Sequence, residues 1–215
     1  MPLKSATTAH APKAASMPPR NRAQKSAERR NELTDSALAT LGELGYARTS
    51  LREIAANSEF SHGVVHYYFN DKTELILASV RRYKAVCVQR YDGVVATATT
   101  PQALVDGFAD KLVETMLDEA PMHRLWYDLR TQSMFDEELR ETVTEIDDSL
   151  EAMIDRILTR YAELSGTTLT VPIGTAYAML DGVFERALLR HLSGVDDVLP
   201  GLRDTTVTLV PRLFA

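Results

Sequence analysis

The sequence predicts an all-α protein: an N-terminal three-helix unit built around a helix-turn-helix, followed by a larger C-terminal helical body. Three observations lead there. Apolar residues recur at three- and four-residue spacing through one segment after another. Hydroxyl or carboxylate side chains stand where those segments begin. No sustained alternation and no hairpin turn signal interrupts them.

Residues 1–22 (MPLKSATTAHAPKAASMPPRNR) are rich in Ala, Pro, Ser and Thr, carry Lys4, Lys13, Arg20 and Arg22, and lack an apolar period, so a disordered basic arm is expected. From 23 to 44, Leu33, Ala37, Leu41 and Leu44 form one helical stripe, which Gly45 closes in the left-handed cap position. Two short helices follow, at 50–57 and 61–67. Thr49 and Ser50 offer a hydroxyl cap to the first, whose buried face is Leu51, Ile54 and Ala55. Ser61 caps the second, from which Val65 and Tyr68 point inward. Helices this short are marginal alone and must lean on each other and on neighbours, as in a helix-turn-helix. The second then presents Ser61, His62, Gly63, Val64, His66 and Tyr67 outward, a surface shaped for a DNA major groove.

Asp71 caps a long helix running to about 98, traced by Leu75, Ala78, Arg82, Ala85 and Val88. Thr100 and Pro101 open the next, since proline is at home in a first helical turn. Further helices are expected at 101–118, 121–133, 135–164, 172–192 and 202–213, with a loop at 165–171 and breaks at Gly194 and Pro200-Gly201. The expected division is an arm at 1–22, a DNA-binding domain at 23–70, and an effector-binding and dimerisation domain at 71–215.

Charge is split unevenly along the chain. The net charge is −6, yet residues 1–72 hold ten Lys and Arg against seven Asp and Glu, and the remainder hold fourteen against twenty-three. A cationic front on an acidic body fits a nucleic-acid-reading module joined to a regulatory domain. No apolar run reaches the roughly eighteen residues of a membrane span, and the basic N-terminus lacks the apolar core of a secretory signal. The lone Cys87 cannot form an internal disulfide and reads as a small buried hydrophobe, which fits a reducing cytoplasm. No serine elbow, phosphate loop, cysteine cluster or distinguishable acid–base pair is present, so neither an enzyme nor a cofactor is expected. His62 and His66 share a zinc-ligand spacing but lack a third ligand nearby, so no metal site is expected.

The stretch Leu51-Arg52-Glu53-Ile54-Ala55, then Ser61-x-Gly63, His66-Tyr67-Tyr68-Phe69, Lys72 and Leu75, resembles the N-terminal domain of the TetR family of bacterial transcription regulators. The resemblance covers about Arg29 to Leu75. Two positions depart from the family pattern. Glu59 stands where a turn glycine is common, and His66 where the third helix often has tyrosine. The resemblance implies a cytoplasmic, ligand-responsive repressor that binds double-stranded operator DNA as a homodimer and leaves it when a small-molecule effector binds. A helical ligand-binding or protein-interaction module without DNA binding is the competing reading.

Phosphate anchors are expected at helix N-termini, where free N–H groups and the dipole favour an anion: Thr49, Ser50 and Lys72, with Arg52 and Tyr67 beside them. Base readers are Ser61, His62, Val64 and His66, with Gly63 permitting close backbone approach. Segment 175–192 combines the small residues Ala176, Ala178, Gly182 and Ala187 with Leu180, Val183 and Leu188. With Val207, Leu209, Val210 and Leu213 it is the expected dimer surface. Met116, Trp126, Tyr127, Arg130, Met153, Tyr177 and Phe184 are the candidate effector-binding residues, apolar lining with a few polar groups. The helix at 71–98 is the expected lever between the two functions.

Overall fold

The computed structural model describes residues 22–215; the arm expected at 1–22 lies outside the described residues except for Arg22, where the first helix begins. The elements are α1 (Arg22–Arg48), α2 (Leu51–Ala56), α3 (His62–Tyr68), α4 (Lys72–Cys87), α5 (Asp92–Thr97), α6 (Pro101–Ser133), α7 (Glu137–Ser165), α8 (Ile173–Leu192) and α9 (Val198–Arg212). No strand occurs among the described residues; one isolated antiparallel bridge, Leu169 to Phe214, ties the loop after α7 to the C-terminus.

The caps are those the sequence offers. Ser50, Ser61, Asp71 and Thr100 each accept a hydrogen bond from the backbone N–H three residues on, satisfying a donor that the helix start would leave unpaired. Gly45 adopts φ 75° and ψ 172°, a region that only glycine enters at low cost, and bends the end of α1 toward α2.

Three helices differ from expectation. The segment 71–98 is broken at Val88–Tyr91 into α4 and α5. Its buried stripe is Leu75, Ile76, Ser79, Val80, Lys84 and Cys87, so Arg82 and Ala85 lie on the exposed side. The two helices expected at 101–118 and 121–133 are one continuous α6, kinked at Glu119 (φ −134°) just before Pro121, which has no N–H for the ladder. Pro200 and Gly201 sit inside the start of α9 rather than breaking the chain, because a first turn tolerates a missing N–H.

α6 is the central strut, packed on α1, α7, α8 and α9, while α1 also packs on α4. Two apolar clusters result. One joins α6, α7, α8 and α9 around Leu104, Phe108, Met116, Ile157, Leu158, Ala176 and Val210. The other is the core of the helix-turn-helix: Leu33, Ala37, Leu41, Ile54, Val65 and Phe69, with Leu125, Trp126 and Leu129 of α6 and Leu139, Val143 and Ile146 of α7. The two short helices are therefore held from behind by the body itself.

Candidate DNA-reading surface and internal cavity

α2 and α3 are joined by a turn in which the Ser58 hydroxyl donates to the Ala55 carbonyl and accepts from the Phe60 N–H, both at 3.2 Å. No positive φ occurs at Glu59. The missing turn glycine is thus replaced by a serine bridge without backbone strain. Val65 and Phe69 are buried, whereas Ser61, His62, Gly63, His66 and Tyr67 are exposed and Val64 is half-buried. A Cβ added at Gly63 would meet nothing within 4 Å, so the fold itself has no need of glycine there. The His62 and His66 rings meet edge to face at 4.5 Å.

The expected anchors separate. Ser50 and Arg52 are exposed beside α3. Thr49 is buried, its hydroxyl donating to Gly45 O at 2.7 Å, because it clamps the turn between α1 and α2. Lys72 is half-buried; its ammonium lies 4.3 Å from the Tyr46 ring centre and donates to Tyr46 O at 2.6 Å, tying α1 to α4. Burial lowers the Lys72 pKa, and only one of its three donors is used.

A cavity of about 90 Å³ lies between α4, α6, α7 and α8. Of the candidate effector residues, Trp126, Tyr127, Met153, Tyr177 and Phe184 line it. Met116 is fully buried in the adjacent core, outside the lining. Arg130 is also outside the lining and donates to Asp181 at 2.5 Å. Sequence reading missed Lys84, Arg90, Tyr91 and Asp181 on the wall, and left His123 unassigned. The signal for Lys84 was present: Val80, Lys84, Cys87 and Tyr91 recur at four-, three- and four-residue spacing, a lysine in an otherwise apolar stripe.

The wall's charges are paired with one exception. Arg90 grips Glu119 through two hydrogen bonds of 2.5 and 2.6 Å, and Tyr83 donates to the same carboxylate. Asp181 accepts from the Tyr127 hydroxyl at 2.9 Å and from Arg130. Tyr177 donates to Asp147 at 2.7 Å. Lys84, only 4% exposed, makes no ion pair or hydrogen bond among the described residues; its ammonium lies 4.8 Å from the Trp126 ring centre. Burial pushes its pKa down to about 8. Burial likewise pushes the His123 imidazole down to about 4, and among the described residues neither His123 Nε2 nor Trp126 Nε1 has a hydrogen-bond partner. Burial raises the Cys87 thiol, so the protonated, unreactive form is favoured.

The second half of α6 faces two ways. His123, Trp126 and Tyr127 line the cavity. On another side of the same helix, Asp128 accepts from the Tyr46 N–H at 2.9 Å and Arg124 donates to Gly42 O at 2.5 Å, both at the end of α1. The approach is close: a Cβ at Gly42 would come within 2.2 Å of Met122 Cε, so the end of that flexible side chain would have to move aside. The expected lever is therefore joined by a second connection. α4 runs from Lys72 at the head to Lys84 at the cavity, and α6 touches both directly.

On the outer side, Ala176, Leu180, Ala187, Leu188, Val210 and Leu213 of the expected dimer stripe are buried within the chain. The apolar side chains that α8 and the segment after it expose are Met179, Leu189, Leu192 and Val195, with Gly182 open beside Met179. Among the described residues no helix is long and apolar enough to cross a membrane.

Residues 33–79 match the family model described as bacterial regulatory proteins, tetR family. The HTH-type transcriptional regulator BetI from Burkholderia ambifaria is 29% identical over 116 residues, which is 52% of this chain and 58% of BetI, so the chain spans less than two thirds of that curated relative. A TetR transcription regulator from Haloarcula marismortui superposes with a TM-score of 0.72 at 19% identity, covering 88% of this chain and all of that one. A transcriptional regulator from Saccharomonospora viridis in complex with choline superposes with a TM-score of 0.71 at 16% identity, covering 87% and 98%. The helix-turn-helix segment thus matches the tetR family model over residues 33–79, and the chain shares the fold of the two superposed regulators.

Proposed function

We propose that the chain is a cytoplasmic transcription regulator, a repressor that binds double-stranded operator DNA as a homodimer and is released by a small-molecule effector held in the cavity. The single observation that carries the DNA reading is the outward face of α3. Five consecutive or near-consecutive residues of it are solvated while Val65 and Phe69 anchor it from behind, and Gly63 has no structural reason to be glycine. Ser61, His62, Val64 and His66 read base edges; Ser50, Arg52, Tyr67 and Lys72 hold phosphates. Thr49 positions rather than contacts. The reading head spans 23–70 and the regulatory body 71–215, and the outer face of α8 and α9 around Met179, Gly182, Val183 and Leu209 joins two copies.

Release follows from the way α6 and α4 are shared. An effector that fits the cavity better in a DNA-incompetent arrangement of the heads lowers operator affinity by that difference in affinity alone. It acts on α6 at His123, Trp126 and Tyr127, and α6 holds the end of α1 through Arg124 and Asp128.

The test is a band-shift series on duplexes from the region upstream of the protein's own gene. Tyr67→Phe and Lys72→Met should weaken every duplex alike, whereas His62→Ala and Val64→Ala should change the order of preference among duplexes. Equal loss on every sequence for all four overturns the assignment of α3 to base edges.

A further inference from the structure

We propose that the cavity binds a small organic anion, a carboxylate on an apolar or monoaromatic body, with Lys84 as its counter-ion. The inference rests on the reading that this cavity holds an effector, and it names the effector's chemistry.

Buried charges in folded proteins are paired, because an unpaired ammonium removed from water costs several kcal/mol. Each other charge on this wall obeys that rule: Arg90 with Glu119, and Asp181 with Arg130 and Tyr127. Among the described residues Lys84 alone has no ion pair or hydrogen bond; its ammonium lies 4.8 Å from the Trp126 ring centre and 5.8 Å from that of Tyr83. With a pKa near 8 it stays largely protonated at neutral pH, so the cavity presents one uncompensated positive charge. A carboxylate supplies one negative charge and accepts the ammonium's donors. Phe108, Leu112, Met153, Ile154 and Phe184 offer the rest of the molecule an apolar lodging. At about 90 Å³ the cavity is smaller than the roughly 150 Å³ of an engineered cavity that takes benzene, so only a small acid enters, and flexible lining such as Met153 must shift to admit it.

The same geometry argues against a quaternary ammonium. An aromatic face is what such a cation seeks, and the Trp126 face is already covered by the protein's own ammonium. A choline-like ligand would have to displace one cation and then sit beside it.

Trp126 is the chain's single tryptophan, so its fluorescence reports on this cavity alone. The full chain is titrated with benzoate, hexanoate and octanoate, with the matching amides benzamide, hexanamide and octanamide, and with choline. At least one carboxylate should perturb Trp126 emission and bind roughly ten- to a hundredfold more tightly than its amide. Lys84→Met should bring each such pair to within about twofold while the circular dichroism stays helical, and Lys84→Arg, which keeps the charge, should retain the preference. The proposal is overturned if amides match their acids, if choline alone binds, if Lys84→Met leaves the preference intact, or if no carboxylate perturbs the emission. The same preparations are assayed for salt-sensitive DNA binding. DNA binding without a carboxylate response removes the anion assignment only, whereas loss of both removes the regulator reading as well.

Discussion

The two lysines of α4 stand about three turns apart and meet opposite circumstances. Each ammonium lies over an aromatic ring, Tyr46 for Lys72 and Trp126 for Lys84. Lys72 also donates to a carbonyl and reaches solvent, so its charge is solvated and it ties α1 to α4 with two donors left over. Lys84 is sealed in, has no such acceptor, and has its pKa lowered to about 8. One end of the helix is completed by the protein itself; on the proposal above, the other is completed by the bound carboxylate. This is the pattern expected of an element that links a DNA-binding head to a ligand site.

The largest effects should come from the DNA. Replacing Tyr67 and Lys72 together with Ala should cut affinity for all duplexes on the order of a hundredfold, because two phosphate contacts are lost, whereas Lys84→Met should leave DNA affinity of the ligand-free protein unchanged. Gel shifts at constant salt check both. Parity between the two ends of α4 breaks the comparison.

Stability should respond with opposite signs. Lys84→Met should stabilise the protein at pH 7 by about 1–4 kcal/mol, since a buried unpaired cation is exchanged for a side chain of similar shape. Lys72→Met should destabilise it by about 1 kcal/mol, the worth of an ordinary hydrogen bond. Urea unfolding midpoints at equal slopes decide it.

The pH dependence sharpens the same point. The folded-state pKa of Lys84, near 8, lies below the ordinary lysine value of 10.5, so the unfolded chain binds more protons between those values. Stability should therefore rise with pH across that window by up to roughly 3 kcal/mol relative to Lys84→Met, whose curve lacks this contribution. His123 works in the acid range. Its pKa falls from 6.5 to about 4, so its contribution is complete above 6.5 and is lost as pH drops toward 4. Replacing it with Leu should remove that part of the acid sensitivity, seen as a smaller difference between unfolding curves at pH 7 and pH 4.5.

The smallest effect concerns the link through α6. Asp128→Asn keeps a hydrogen-bond acceptor for the Tyr46 N–H but removes its charge, and should cost under about 1 kcal/mol of stability. Its expected signature is a weaker response of DNA binding to ligand, with ligand affinity in the absence of DNA little altered. An undiminished response would assign the coupling to α4 alone.

The helix-turn-helix was legible in the sequence because its signals are local. Ser50, Ser61 and Asp71 cap where hydroxyls and carboxylates precede apolar periods, and Val65 is buried as expected, whereas Tyr68 is only half-buried and Phe69, just past the helix end, is the second anchor. The cavity was half legible: Trp126, Tyr127, Tyr177 and Phe184 announce an apolar lining by type alone. Lys84 was not read because lysine is ordinarily solvated, and only its neighbours in space reveal that this one is buried. The break at Val88–Tyr91 has no glycine or proline to mark it, and of the expected dimer stripe Ala176, Leu180, Ala187, Leu188, Val210 and Leu213 are buried within one chain while Ala178, Gly182, Val183, Val207 and Leu209 are not. Which face of an amphipathic helix meets its own chain and which meets a partner is a long-range matter that periodicity does not encode.

The most direct measurement is fluorescence anisotropy of labelled upstream duplex titrated with the full chain across a series of salt concentrations, with and without α3 substituted at His62 and Val64. Affinity should fall linearly on logarithmic axes as salt rises, and the substituted protein should reorder its preferences among duplexes while keeping a similar slope. No salt-dependent association with any duplex, the native upstream region included, would contradict the placement of α3 in a DNA groove and leave the chain without its proposed role.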